Sequence, residues 1–146
     1  MPTPARRLPP LTALDTALQR VGDRWSFLLV DALLGGPRRF GELLAELGGL
    51  APNILSNRLK HLEAHGVVTA QTYSRRPHRV AYALTASGAD LAGVLRLLAQ
   101  WGAESGGPSA APLHHLTCGT AVEARWWCPT CARVVDDGEA PQLDYV

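Results

Sequence analysis

A mainly helical fold with one small β-hairpin is predicted by three observations. Apolar residues recur at helical spacing in five stretches between Leu14 and Trp101, separated by Gly-Gly and Pro breaks. Two strand-like runs, residues 67–73 and 80–84, flank a basic tip that contains Pro77. Three cysteines lie together near the C-terminus, behind a Gly/Pro/Ser/Ala-rich stretch. The order of helix, Gly-Gly turn, polar-faced helix and basic hairpin predicts a winged helix-turn-helix. The cysteines predict a small zinc-ribbon-like appendage after it.

The elements follow in order. Residues 1–10 are Pro-rich and are expected to form a mobile arm. Leu14, Ala17, Leu18 and Val21 make the first helical stripe. Asp23 is placed to cap a second helix through Trp25, Phe27, Leu28, Leu29, Val30 and Leu33, whose dense apolar character predicts a central position. Gly35, Gly36 and Pro37 end it, and Phe40, Leu43, Leu44 and Leu47 form a short amphipathic helix. Gly48 and Gly49 supply the turn, and Pro52 suits the first position of the next helix, where its missing N–H costs nothing. Residues 74–79 read as the tight tip of the hairpin. Thr85 is expected to cap one long helix on which Leu91, Val94, Leu98 and Trp101 form a packing seam. The expected organisation is therefore a DNA-binding and dimerisation domain over residues 11–104, a linker over 105–112, a zinc-ribbon-like segment over 113–136 and an acidic tail over 137–146.

Composition sets the bounds. The chain has 146 residues, enough for one domain and a small extension, and 47% of them are hydrophobic, enough for a core. No run of ~18 uninterrupted apolar residues occurs, so no membrane span is expected. Arg6 and Arg7 are not followed by an apolar stretch, so no secretory leader is expected and the cytoplasm is the expected compartment. Net charge is +1, so a case for nucleic acid must rest on where the charge sits rather than on its sum. All but one of the 14 Lys and Arg residues are Arg, which suits phosphate and guanine contacts.

On a wheel of ~100° per residue, Ala51, Leu55, Leu59 and Leu62 share one side of the fourth helix. Asn53, Asn57 and Lys60 cluster on the opposite side, with Ser56 flanking. Asn offers two hydrogen bonds to an adenine edge in the major groove, and Lys60 reaches a phosphate or a guanine. Arg58 falls beside the leucines and is expected to pair with a carboxylate such as Glu42 or Glu46. Arg75, Arg76, His78 and Arg79 gather donors at the hairpin tip, suited to phosphates or a minor groove. Arg38 and Arg39 precede the first helix of the pair and are placed to hold the DNA backbone. A polar helix face alone is more often merely solvated. The co-occurrence in this order implies a double-stranded DNA partner.

The same order resembles the HxlR-type winged helix-turn-helix regulators. The resemblance runs through Gly22-Asp23-Arg24-Trp25, Arg39-Phe40-Gly41-Glu42-Leu43, residues 55–63, Gly66-Val67-Val68, Tyr73, Pro77, residues 82–88 and Trp101. It implies a homodimer that binds a two-fold operator and usually represses. Many members carry a sensing cysteine shortly before the Trp25 position, whereas this chain has no cysteine before Cys118. Ala51 stands where the family often has a Ser helix cap.

His115-Leu-Thr-Cys118 and Cys128-Pro-Thr-Cys131 are two short knuckles with nine residues between Cys118 and Cys128. Four N and S ligands suit tetrahedral Zn²⁺, so His115, Cys118, Cys128 and Cys131 form the expected site, with His114 as the alternative fourth ligand. The site resembles C-terminal extensions of some HxlR-type proteins. A thioredoxin-like role for Cys-Pro-Thr-Cys needs a βαβ setting that the pattern lacks. His61 and His65 stand four apart on a helix but have no evident third ligand. Trp25, Phe27 and Trp101 are candidates to line a pocket for a small-molecule effector, although core packing explains them equally well. No paired acid and base, nucleophile motif or phosphate loop appears, so an enzyme is not expected. The competing class is a metal-holding protein-interaction module whose winged-helix scaffold no longer reads DNA.

Overall fold

Local capping sets the first two helices. Helix α1 (Ala13–Val21) begins with a reciprocal box: the Thr12 hydroxyl accepts the Asp15 N–H, and the Asp15 carboxylate accepts the Thr12 N–H. Only Val21 of α1 is buried, so the helix meets the core at its C-terminal end. Helix α2 (Arg24–Leu34) is capped by Asp23, whose Oδ1 accepts the N–H groups of Trp25 and Ser26 at 3.0 and 3.1 Å. Ser26, Leu29, Val30, Ala32 and Leu33 are buried, which places α2 at the centre as its composition predicts. These contacts belong to a computed structural model that describes residues 12–109, 111–135 and 138–139. The predicted arm over residues 1–10 and most of the predicted acidic tail lie outside the described residues.

After Gly36, Arg38–Arg39 forms a short strand, β1, which sequence reading did not anticipate. Helix α3 (Phe40–Glu46) follows, held at its start by Glu42, which accepts the Arg39 N–H at 2.7 Å. Gly49, at φ +90°, turns the chain into α4 (Pro52–Ala64), with Pro52 in the first turn. Strands β2 (Val68–Arg75) and β3 (His78–Leu84) make the wing. With β1 they form an antiparallel sheet in the order β1-β3-β2. The strands run further than predicted. Arg75 pairs with His78, leaving Arg76 and Pro77 as the turn, and the Arg76–Pro77 peptide is cis.

The expected single helix after Thr85 is instead two helices, α5 (Ala86–Ala89) and α6 (Leu91–Glu104). Thr85 fastens α5 to the turn between α4 and β2. Its hydroxyl donates to the Gly66 and Val67 carbonyls at 2.6 and 3.2 Å and accepts the Gly88 N–H at 3.1 Å. Gly88 packs so close that a Cβ there would stand 2.1 Å from the Val67 oxygen. Only glycine fits this position without movement of α5.

The core is made of Leu29, Val30, Leu43, Leu55, Leu59, Leu62 and Val68, all essentially buried. It joins α2, α3, α4 and β2. Each such side chain stabilises the fold by ~1.5–3 kcal/mol relative to exposure. Leu91 and Leu95 of α6 pack against it, while Val94, Leu97, Leu98 and Trp101 are exposed.

Two compact units divide the chain, Met1–Leu95 and Arg96–Val146, so the division falls within α6 rather than at residue 105. In the second unit, β4 (Trp127–Cys128) and β5 (Arg133–Val134) pair as a small hairpin. A separate bridge joins His114 to Ala121. None of this unit's described residues is fully buried. Among the described residues, no helix is long and apolar enough to cross a membrane.

Candidate nucleic-acid interface

The rotation of α4 is fixed by Leu55, Leu59 and Leu62, which enter the core. Asn53, Asn57 and Lys60 therefore stand exposed on the outer face, and Ser56 is half-buried at its edge. Asn53 and Asn57 are one turn apart, so their amides face outward together.

Arg58 lies beside the core, as the wheel predicts, but its partner differs. Its Nη1 is 3.3 Å from Asp23 Oδ2, not paired with Glu42 or Glu46. Asp23 caps α2 and also accepts the Ser26 hydroxyl, so one carboxylate joins the start of α2 to the middle of α4. Burial pushes the Asp23 carboxyl up, but the Ser26 hydroxyl and N–H and the Arg58 charge outweigh it and hold the group below its ordinary value. Arg58 Nε is buried without a hydrogen-bond partner among the described residues. At the other end of α4, His61 Nε2 lies 3.1 Å from the carbonyls of both Gln19 and Arg20, which ties the last turn of α4 to the end of α1.

Arg75, Arg76, His78 and Arg79 are all exposed at the wing tip. No carboxylate among the described residues pairs with the three arginines. His78 Nε2 approaches Thr72 Oγ1 at 3.5 Å. The wing thus presents donors that no described residue satisfies.

The two arginines ahead of α3 behave differently. Arg38 folds back: its Nη1 bonds the Gly36 and Pro37 carbonyls at 3.4 and 3.3 Å, and its Nε is 3.5 Å from Glu46. Its guanidinium is thereby occupied by the protein. Arg39 is exposed, and its guanidinium lies 4.9 Å from the centre of the Tyr73 ring. Tyr73 was not singled out as a contact residue. The signal was present as one aromatic among the polar residues 71–75, but its stacking depends on β1, which the sequence pattern did not reveal.

The predicted metal ligands fall into two pairs in the second unit. His115 Nδ1 is 3.3 Å from Cys118 Sγ. Two ligands of one tetrahedral zinc stand about 3.5 Å apart, given bonds of ~2.0 and ~2.3 Å, so this pair fits such an ion. In the second pair the Cys131 N–H points at Cys128 Sγ, 3.5 Å away. Each knuckle is followed at once by a left-handed residue, Gly119 at φ +71° and Ala132 at φ +51°. Hydrogen bonds from Thr120, then from His115, bring the Cys118 thiol down to about 7. The Cys131 N–H lowers Cys128, while the neighbouring Cys128 raises Cys131. The two pairs do not converge: no group of three His, Cys, Asp or Glu side chains among the described residues is gathered closely enough to hold a metal.

Comparison with known proteins agrees with this geometry. Rv3095 of Mycobacterium tuberculosis, described as an uncharacterized HTH-type transcriptional regulator, is 38% identical over 127 residues, covering 84% of this chain and 79% of that protein. The crystal structure of PA1607, a candidate transcription factor, superposes with a TM-score of 0.74 at 29% identity, covering 89% of this chain and 92% of that one. Diamide-treated YodB from Bacillus subtilis superposes with a TM-score of 0.56 at 30% identity, covering 67% of this chain and 95% of that one. The model of the HxlR-like helix-turn-helix matches residues 20–110. That span holds the polar face of α4, the basic wing and the core that orients both, and the chain belongs to the HxlR-like family of helix-turn-helix transcriptional regulators.

Proposed function

We propose that the protein is a sequence-specific repressor that binds a two-fold DNA operator as a homodimer. The observation that carries this reading is the outward face of α4, where Asn53, Asn57 and Lys60 stand exposed, together with a wing tip whose arginines have no carboxylate partner among the described residues. Asn53 and Asn57 are assigned base contacts, with Ser56 and Lys60 beside them. Arg39, Arg75, Arg76, His78 and Arg79 are assigned the DNA backbone or minor groove. Arg38 is assigned a lesser part, because Glu46 and two carbonyls already hold it. Dimerisation is supported by exposed apolar residues on α1, Leu14 and Leu18, and on α6, Val94, Leu97, Leu98 and Trp101.

We also propose one structural Zn²⁺ per protomer, held by His115, Cys118, Cys128 and Cys131. The approach of His115 Nδ1 to Cys118 Sγ, the nearness of Cys128 to Cys131 and the lack of fully buried residues among the second unit's described residues support it. A segment without its own core needs another source of order, and metal supplies it. Binding would require the two pairs to come together. The regulator reading is tested by selecting genomic fragments on the purified protein and measuring affinity for the recovered site. Recovery of one palindromic sequence, bound with two protomers per duplex, is the expected result. Failure to enrich any sequence would favour a protein-interaction module on the same scaffold.

A further inference from the structure

The geometry points to Tyr73 as a positioning residue for DNA binding: we infer that its ring holds Arg39 extended over the sheet as a phosphate contact, so that the body and the wing grip the backbone as one unit. The inference rests on the DNA-binding reading above.

Three features place the pair. Arg39 on β1 is opposite Ala81 on β3, and Ala81 is opposite Gln71 on β2. Residues directly opposite one another share a face of the sheet, so Ala81 is the small side chain over which Arg39 passes. The register then shifts between Thr72 and Ser74, leaving Tyr73 as the extra residue of a bulge. A bulge re-aims the side chain it carries. The Tyr73 ring ends up 4.9 Å from the Arg39 guanidinium, and Tyr73 itself is 45% exposed, so the pair lies at the surface.

The contrast with Arg38 supplies the physical reason for such a support. Glu46 and two carbonyls draw Arg38 back onto the protein. Arg39 is as close in sequence to the carboxylates of α3, but Glu42 spends an oxygen on the Arg39 N–H at 2.7 Å rather than on its guanidinium. An aromatic face attracts the cation without occupying its N–H donors, which lie in the guanidinium plane. Tyr73 therefore fixes the arginine and leaves its donors available for phosphate oxygens. Because β1 and the wing share one sheet, a phosphate held by Arg39 is registered against those held by Arg75, Arg76 and Arg79.

The test uses the full chain and a fluorescein-labelled duplex recovered by selection, with affinity read by anisotropy across a salt series. Arg39→Ala, Tyr73→Ala, Tyr73→Phe and the Arg39→Ala/Tyr73→Ala double variant are compared, each checked for folding by circular dichroism. Tyr73→Ala is expected to weaken binding about three- to tenfold and to flatten the salt slope towards that of Arg39→Ala. Tyr73→Phe keeps the ring and should stay within about twofold of wild type. The double variant should bind like Arg39→Ala alone, because Tyr73 acts through Arg39. Equal, additive losses from Tyr73→Ala in both backgrounds would overturn the inference, as would wild-type affinity in Tyr73→Ala. If Tyr73→Ala does not fold, a loss with Tyr73→Phe as large as that of Arg39→Ala would also overturn it. Wild-type protein that binds no selected duplex would remove the DNA-binding reading itself, an outcome distinct from these.

Discussion

Two neighbouring positions of α4 separate reading from folding. The Asn57 side chain is exposed and makes no hydrogen bond among the described residues, whereas Arg58 reaches Asp23 at 3.3 Å. Asn57→Ala is expected to leave stability unchanged, to lower affinity for the best site by ~1–3 kcal/mol and to relax preference at one base pair. Arg76→Ala at the wing should weaken all sequences alike and flatten the salt slope by about one unit. Anisotropy on matched and mismatched duplexes distinguishes the two. Arg58→Ala should act through stability instead. Its pair with Asp23 is about one-third exposed on each side, so after solvent screening a loss of about 1 kcal/mol is expected, read as a shift in urea midpoint. Asp23 adds a pH signature. Its carboxyl is lowered in the folded protein, so the stabilisation is complete above the ordinary carboxylate value near 4 and is lost as pH falls through the lower folded value. Asp23→Asn keeps a good helix cap and should flatten this acid limb. An unchanged acid limb in Asp23→Asn would assign it to another carboxylate.

At the level of elements, what was legible depended on whether local chemistry decided the outcome. The facing of α4 was readable because three leucines at helical spacing leave only one orientation, and the caps at Asp23 and Pro52 were readable because they are local. The partner of Arg58 was not, since Asp23 is thirty-five residues away in sequence and only packing of α2 against α4 brings it near. Strand β1 was missed because two arginines carry no apolar alternation, and their strand character comes from pairing with Tyr82 and Ala81. The break at Asp90 was missed because neither a Pro nor a Gly pair marks it in residues 86–91. The close approach of Gly88 to Val67 and the Thr85 bonds anchor α5, and they are tertiary facts. The seam itself gives a test. Leu98 is 43% exposed on α6, and in the proposed dimer it is covered by the partner. Leu98→Glu should yield monomers by sedimentation and sharply weaken binding to a palindromic site, with little change in binding to a half-site. A Leu98→Glu dimer of unchanged affinity would move the interface elsewhere.

For the molecule as a whole, the placement of the cysteines separates the proposed DNA-reading domain from the proposed metal site. The family-matched span, residues 20–110, contains no cysteine, and all three thiols lie beyond it at Cys118, Cys128 and Cys131. All three are free thiols of the second unit, so a thiol reagent tests that unit. Full-length protein prepared without chelator is expected to carry one Zn²⁺, and Cys128→Ser and His115→Ala are expected to lose most of it. Retention of zinc by His115→Ala would transfer the fourth ligand to His114, and metal-free wild type would end the zinc proposal. Thiolates and neutral imidazole are the binding forms, so acid or a chelator should release the ion, with spectroscopic change confined to the second unit. Diamide should likewise release zinc by joining thiols in pairs. DNA affinity measured beside metal content then decides the role of the second unit. Loss of zinc with unchanged affinity fits a purely structural site, with all four positions filled by protein. Loss of affinity that follows loss of zinc would make the second unit a sensor. The control is a chain ending at Gly107, which retains the whole winged helix and no thiol. It should bind DNA equally well with and without diamide, and a diamide response there would show that oxidation acts on something other than a cysteine.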